Sequence, residues 1–193
     1  PIMNVCFSHQ GDMVLGTSLD GNIYIWNTGH SCTAARMVLS GHTTKVLGAC
    51  FVQSSNGSGG TSASTSLTLI SGSHDKTIKL WDLSRGTCKK TFLAMSSCND
   101  IEQMSHDLCA SCHFDRSIRL WDTRMNSNCM TIPSNHSEEI TSISSVKSTM
   151  HSSPSSSPAP YILTNSKDNS LKIFDVRNHW KPVVTLTHPM YQC

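Results

Sequence analysis

A chain of 193 residues with 37% hydrophobic side chains is of single-domain size and apolar enough to bury a core, which excludes a fibre or a wholly disordered tail. Its 15 Lys and Arg against 13 Asp and Glu leave a net charge of +2, and with charged residues at 15% no bulk charge steers it toward nucleic acid or acidic lipid. The longest apolar runs, such as Ile23 to Trp26, fall far below the roughly 18 residues a membrane-spanning helix needs.

Read along the chain, one pattern recurs four times. A strand is expected to start at Ile2, a second apolar stretch ends at Gly16, and four residues later Asp20 occupies a tight turn before the period-two strand Ile23-Tyr24-Ile25-Trp26. A weaker strand follows from Arg36 to Leu39. The same order runs from Val46 through Ser71, Asp75 and Trp81 to Lys89–Leu93, then from Ile101 through Ser111, Asp115 and Trp121 to Cys129–Ile132. It returns from Ile140 through Thr164, Asp168 and Phe174 to Val183–Leu186. In every repeat the aromatic residue stands six positions after the Asp. The Asp positions 20, 75, 115 and 168 are 55, 40 and 53 residues apart, and the middle interval is the period of WD-type repeats.

Four antiparallel strands per unit are the blades of an all-β WD40-type β-propeller, so residues 1–193 are expected to form an incomplete fragment of one. The expected share is about four blades of the seven at which such rings mostly close. Both long intervals are Ser-rich insertions, at 53–66 and 147–160, with too little apolar surface to repay ordering. Each falls between the first and second strands of its blade, on the rim opposite the turns that hold Asp75 and Asp168. With Ile2 opening an innermost strand and only His188 to Cys193 after the last outer one, the four blades are expected to belong to a longer chain. Pro1-Ile2-Met3 carries no legible targeting segment.

The nine cysteines, an odd number scattered along apolar strands, suggest a reducing cytosolic compartment over a disulfide framework. The glycosylation triplets at Asn56 and Asn135 are then chance matches. Cys109 and Cys112, with His113 beside them, have the look of half a metal site, but residues three apart on a strand face opposite ways. No cofactor and no metal are expected.

His42, Ser71, Asp75 and Trp81 contain the elements of a Ser-His-Asp triad. On a blade they are expected instead to form a buried structural network, imidazole to hydroxyl and carboxylate, with the indole N–H completing it. Such a Ser is closed to substrate, and the chain is read as no enzyme. In the fourth repeat His136, Thr164 and Asp168 are present but Phe174 replaces Trp. In the third, Ser111, Asp115 and Trp121 lack a His four residues before Ile101, where Ser97 stands. In the first, Gly16 replaces the hydroxyl residue.

Gly72 to Leu83, Cys88-Lys89-Lys90-Thr91 and above all Ser96-Ser97-Cys98-Asn99-Asp100-Ile101 closely resemble the C-terminal propeller of the autophagy-related protein 16 family, in which the last piece stands where ordinary repeats place Gly-His. Ser40-Gly41-His42, Lys45-Val46-Leu47 and His113-Phe114-Asp115 agree as well, and the likeness covers nearly all of the chain outside the two inserts. The resemblance implies a non-enzymatic scaffold of the autophagy conjugation machinery, cytoplasmic and recruited to autophagosome precursor membranes. There the family directs lipidation of a ubiquitin-like modifier. The ubiquitin-like conjugate is bound by regions outside this chain, the propeller rim takes protein partners, membrane association is indirect, and nucleic acid is not a partner. Candidate partner-binding positions implied by the resemblance are Leu93, Arg116, Ser117 and nearby Lys76 and Asn99. Lys45 joins them by its place beside the inner strands. Ser117 stands where the family can carry a basic residue, which Arg116 is expected to replace. Rival readings are a generic WD-repeat adaptor, such as a ubiquitin-ligase substrate receptor or an RNA-processing scaffold, and a hydrolase, which would need an exposed Ser71.

Overall fold

Alternating side chains decide the architecture, because a strand whose odd and even positions are both apolar must be covered on two faces. In Val46–Val52, Ala49 and Phe51 point one way and Cys50 and Val52 the other, and all four are buried. Such strands need a sheet on each side, and stacked sheets supply it. The computed structural model describes residues 1–29, 34–53, 67–105, 107–126, 128–145, 161–176 and 180–187; apart from Gln53, the insertions expected at 53–66 and 147–160 lie outside the described residues.

Among the described residues sixteen strands form four sheets, each a four-stranded antiparallel meander. The first holds β1 (Ile2–Phe7), β2 (Met13–Ser18), β3 (Ile23–Asn27) and β4 (Met37–Leu39); the second, β5 (Val46–Val52), β6 (Thr68–Ser73), β7 (Thr77–Asp82) and β8 (Thr87–Leu93). The third holds β9 (Cys98–Ser105), β10 (Leu108–His113), β11 (Ser117–Asp122) and β12 (Asn128–Pro133); the fourth, β13 (Ile140–Ser145), β14 (Tyr161–Ser166), β15 (Ser170–Asp175) and β16 (Pro182–Thr187). The inner strands β1, β5, β9 and β13 lie side by side in that order. Among the described residues there is no helix.

Three apolar clusters fill the seams between sheets. Leu15, Ile23 and Ile25 meet Phe51, Leu69 and Trp81; Ile70, Ile78 and Phe92 meet Ile101, Cys109 and Trp121; Cys112, Ile118 and Leu120 meet Ile143, Ile162 and Phe174. Trp81, Trp121 and Phe174 thus turn toward the preceding sheet. The two outermost faces carry exposed apolar side chains, Val5 and Phe7 on β1 and Val183 and Leu186 on β16.

The third inner strand starts at Cys98 rather than at Ile101, three residues earlier than its apolar pattern suggests. Cys98 fills the space above Gly72, where an added Cβ would lie 2.2 Å from its sulfur.

Candidate rim and channel-mouth site

In the second sheet His42 Nδ1 lies 2.8 Å from Asp75 Oδ2 and its Nε2 lies 2.8 Å from Ser71 Oγ, which also accepts the Trp81 indole N–H at 2.8 Å. Burial lowers the His42 pKa, so the ring is neutral, with the Nδ1 proton on the carboxylate side. The Ser71 hydroxyl proton then goes to Nε2. Burial works against the Asp75 charge, but hydrogen bonds from Thr77, His42 and the Thr43 amide outweigh it and hold the carboxyl below its usual range. Ser71 is fully buried, so no scissile bond can reach it. The fourth sheet repeats the set with His136 at 2.9 Å from both Asp168 and Thr164, while Phe174 provides no donor.

The third sheet corrects the expectation that its network lacks a His. His113, two residues after Ser111 on β10, places Nε2 2.7 Å from Ser111 Oγ, which accepts the Trp121 indole at 2.7 Å. Its Nδ1 faces the Ser96 carbonyl at 3.2 Å, and burial pulls its pKa down to about 4. Asp115, left without imidazole, is held by Arg119 at 2.6 Å and Ser117 Oγ at 2.6 Å. Burial opposes its charge, but Arg119 and Ser117 prevail and lower the carboxyl to about 2. The first sheet finds the same answer in Tyr24, whose hydroxyl donates to Asp20 at 2.7 Å. Tyr24 and Arg119 stand four residues after their Asp. In the sheets that have the imidazole, this position is Lys79 and Lys172, which turn away to Thr91 Oγ1 and to the Asn135 carbonyl.

These networks fix a row of turns on one rim. The residue after each Asp is left-handed: Gly21 at φ +85°, Lys76 at +65°, Arg116 at +65° and Asn169 at +58°. Lys76 and Arg116 are therefore presented at turn apices, both exposed. Leu93, 73% exposed, pairs with Thr77 beside Lys76, and Phe114, 60% exposed, sits two residues before Arg116. Ser97 ties these turns together, donating to the His74 carbonyl and accepting the Phe114 amide at its own carbonyl. Ser117 does not join this surface: it is 8% exposed and its hydroxyl belongs to Asp115.

Nearer the axis, each inner strand carries a one-residue bulge near its start. Met3, Leu47, Asn99 and Thr141 are the extra residues, read from the register breaks, and all four line one open depression of about 570 Å³. Bulges re-aim side chains, here into that depression, the mouth formed at this end of the inner strands. Lys45 and His74 line it as well, and Glu139 and Lys167 form an ion pair across its edge. Asn99 reaches the mouth, but its amide donates to the Ile140 carbonyl at 2.8 Å, so it joins two sheets. The structure thus places Lys45 and Asn99 at the mouth and Lys76, Leu93 and Arg116 outside it on the same rim.

Cys109 and Cys112 are buried in different seams, and burial raises the Cys112 thiol well above its ordinary value. Among the described residues no group of three His, Cys, Asp or Glu side chains is arranged to hold a metal ion, and no helix is long and apolar enough to cross a membrane.

Comparison with known proteins agrees with this architecture. The chain is 36% identical over 99% of its length to protein tipD of Dictyostelium discoideum and 32% identical over 91% to autophagy-related protein 16 of Arabidopsis thaliana, spanning 28% and 30% of those proteins. It is 29% identical over 56% of its length to nuclear distribution protein nudF of Aspergillus niger, of which it spans 23%. The WD40 β-propeller domain of Doa1 superposes with a TM-score of 0.73 at 19% identity, covering 97% of this chain and 54% of that one. The profile of the family described as WD domain, G-beta repeat, matches residues 1–27, 34–82 and 86–122. With more than half of its residues matched and four sheets of the propeller type, the chain belongs to the WD40 repeat family.

Proposed function

We propose that this chain is the partner-binding part of a non-enzymatic scaffold of the autophagy conjugation machinery, cytoplasmic and recruited to autophagosome precursor membranes through other proteins. The observation that carries the binding role is the left-handed conformation of Lys76 and Arg116. An L-residue costs roughly 1–2 kcal/mol in that region, and Gly21 occupies the same position of the first repeat without that cost. Long cationic side chains kept at strained apices beside exposed Leu93 and Phe114 suit recognition of a short segment of a partner protein. The autophagy assignment is supported by similarity to the Arabidopsis autophagy-related protein 16 across nearly the whole chain. A generic WD-repeat adaptor is the second reading, favoured by the likeness to nuclear distribution proteins.

The test replaces Lys76 and Arg116 by Glu and Leu93 by Ala together in the full-length protein. Partner association and lipidation of the ubiquitin-like modifier are expected to fall while the melting curve stays in place. Unchanged association sinks the rim as the binding face. Lost association with unaffected lipidation favours the generic adaptor.

A further inference from the structure

The third sheet meets both neighbours through a polar pair that the repeated networks do not use. Bulged Asn99 donates to the Ile140 carbonyl. Asp100 Oδ2 accepts the Ile143 amide of β13 at 3.1 Å, and Oδ1 accepts the Ile101 amide at 2.9 Å. On the opposite side Asp100 presses on β5: a Cβ at Gly48 would stand 2.8 Å from its Cα and from Oδ1. The equivalent residues after the bulges of the other inner strands are Asn4, Gly48 and Ser142, so this carboxylate is peculiar to the third.

We propose that Asn99 and Asp100 form a latch joining the third sheet to the second and fourth, and that ionisation of the Asp100 carboxyl loosens its seam with the fourth. The carboxyl is met by backbone amides instead of a cation. Glu102 and Cys98 on its own strand and Cys112 on β10 act on it electrostatically or are acted on by it. Lys45, His74, Glu139 and Lys167 ring the same depression, while β5 and β13 carry no charged residue. Burial pushes the Asp100 pKa up to about 6, with Glu102 adding to it against the pull of the Ile143 and Ile101 amides.

Opening the seam hydrates the carboxyl and returns it toward its ordinary value of 3.8. The closed seam therefore binds the proton more tightly than the open one. It is tightest in acid and loosest above about pH 6. Complete return to 3.8 makes the opening constant at pH 7.5 about tenfold larger than at pH 5.0, and partial return correspondingly less. The neighbouring imidazoles act in the opposite sense, because His113, His42 and His136 are buried neutral and acid works against them.

Hydrogen exchange of the full-length protein at pH 7.5 and 5.0, corrected for intrinsic amide exchange, tests this at residues 140–145. Protection of that strand is expected to rise several-fold to tenfold in acid, and Asp100→Asn is expected to abolish the rise. Protection that is equal or lower at pH 5.0 in the natural protein, or a rise that survives Asp100→Asn, overturns the proposal. If Asp100→Asn does not fold, Glu102→Gln serves instead. Removing its charge should move the onset of protection to lower pH, and an unmoved onset overturns the proposal equally.

Discussion

Truncating Asp75 and Asp20 to Ala separates a buried network from an exposed turn that has the same sequence signature. Asp75 accepts His42 Nδ1 at 2.8 Å, the Thr43 amide at 3.0 Å, the Thr77 amide at 2.9 Å and the Thr77 hydroxyl at 2.6 Å. With Ala there, water can reach the Thr43 amide, but the His42 side chain is 0% exposed and its N–H exchanges a carboxylate for the neutral Thr77 hydroxyl 3.2 Å away. A buried donor that loses a charged acceptor costs about 2–3 kcal/mol, and the two turn bonds add about 0.5 kcal/mol after water replaces them. At roughly 2–4 °C per kcal/mol for a domain of this size, the melting temperature of the full-length protein should fall by about 5–14 °C. Asp20 accepts the Tyr24 hydroxyl and the Asn22 amide at an exposed turn open to water, so Asp20→Ala should shift it by no more than about 2 °C. Differential scanning calorimetry of both variants decides. Equal drops would show that the imidazole network adds nothing beyond the turn itself.

Two further expectations concern the third sheet. His113, at about 4 in the fold against an ordinary 6.5, binds protons better when unfolded, so its contribution is fully present above pH 6.5 and is lost as pH falls toward 4, about 3 kcal/mol in all; urea midpoints from pH 7.5 to 5 should fall more steeply for the natural protein than for His113→Asn, and parallel profiles would contradict the buried neutral ring. Gly72→Ala should destabilise by about 1–3 kcal/mol through overpacking, since its Cβ would meet the Cys98 sulfur at 2.2 Å, and Cys98→Ala added to it should recover part of the loss; purely additive losses would mean that the two sites do not touch.

Much of the fold was legible because the pattern is local. An Asp in a turn and an aromatic six residues on lie within one hairpin, and alternation alone assigns β3, β7, β11 and β15. The network around His42 was legible for the same reason, its members being set by repeat position. Its substitutes were harder to see. His113 lies on the face of Ser111 by period two, yet no repeat pattern places a His at the end of the second strand. Tyr24 and Arg119 were readable only as the fourth residue after each Asp. Asn99 and Ser117 were expected at the binding surface; Asn99 lines the mouth, but sequence could not show that its amide also joins two sheets, because its partner carbonyl at Ile140 is 41 residues away. Ser117 is withdrawn by Asp115, two residues earlier, a turn contact that a polar surface residue resembles in sequence. The bulges that aim Met3, Leu47 and Thr141 into the mouth left no mark in composition.

Site-specific photo-crosslinking in the full-length protein tests the central claim most directly, that the rim of left-handed turns is the face partners use. A photoreactive side chain at position 76 or 116 probes that rim, and one at Arg85, exposed in the β7–β8 turn at the far end of the same hairpin, probes the opposite one. Partner adducts are expected from positions 76 and 116 and none from 85. Adducts from position 85 alone would contradict the claim and put the functional face on the other rim.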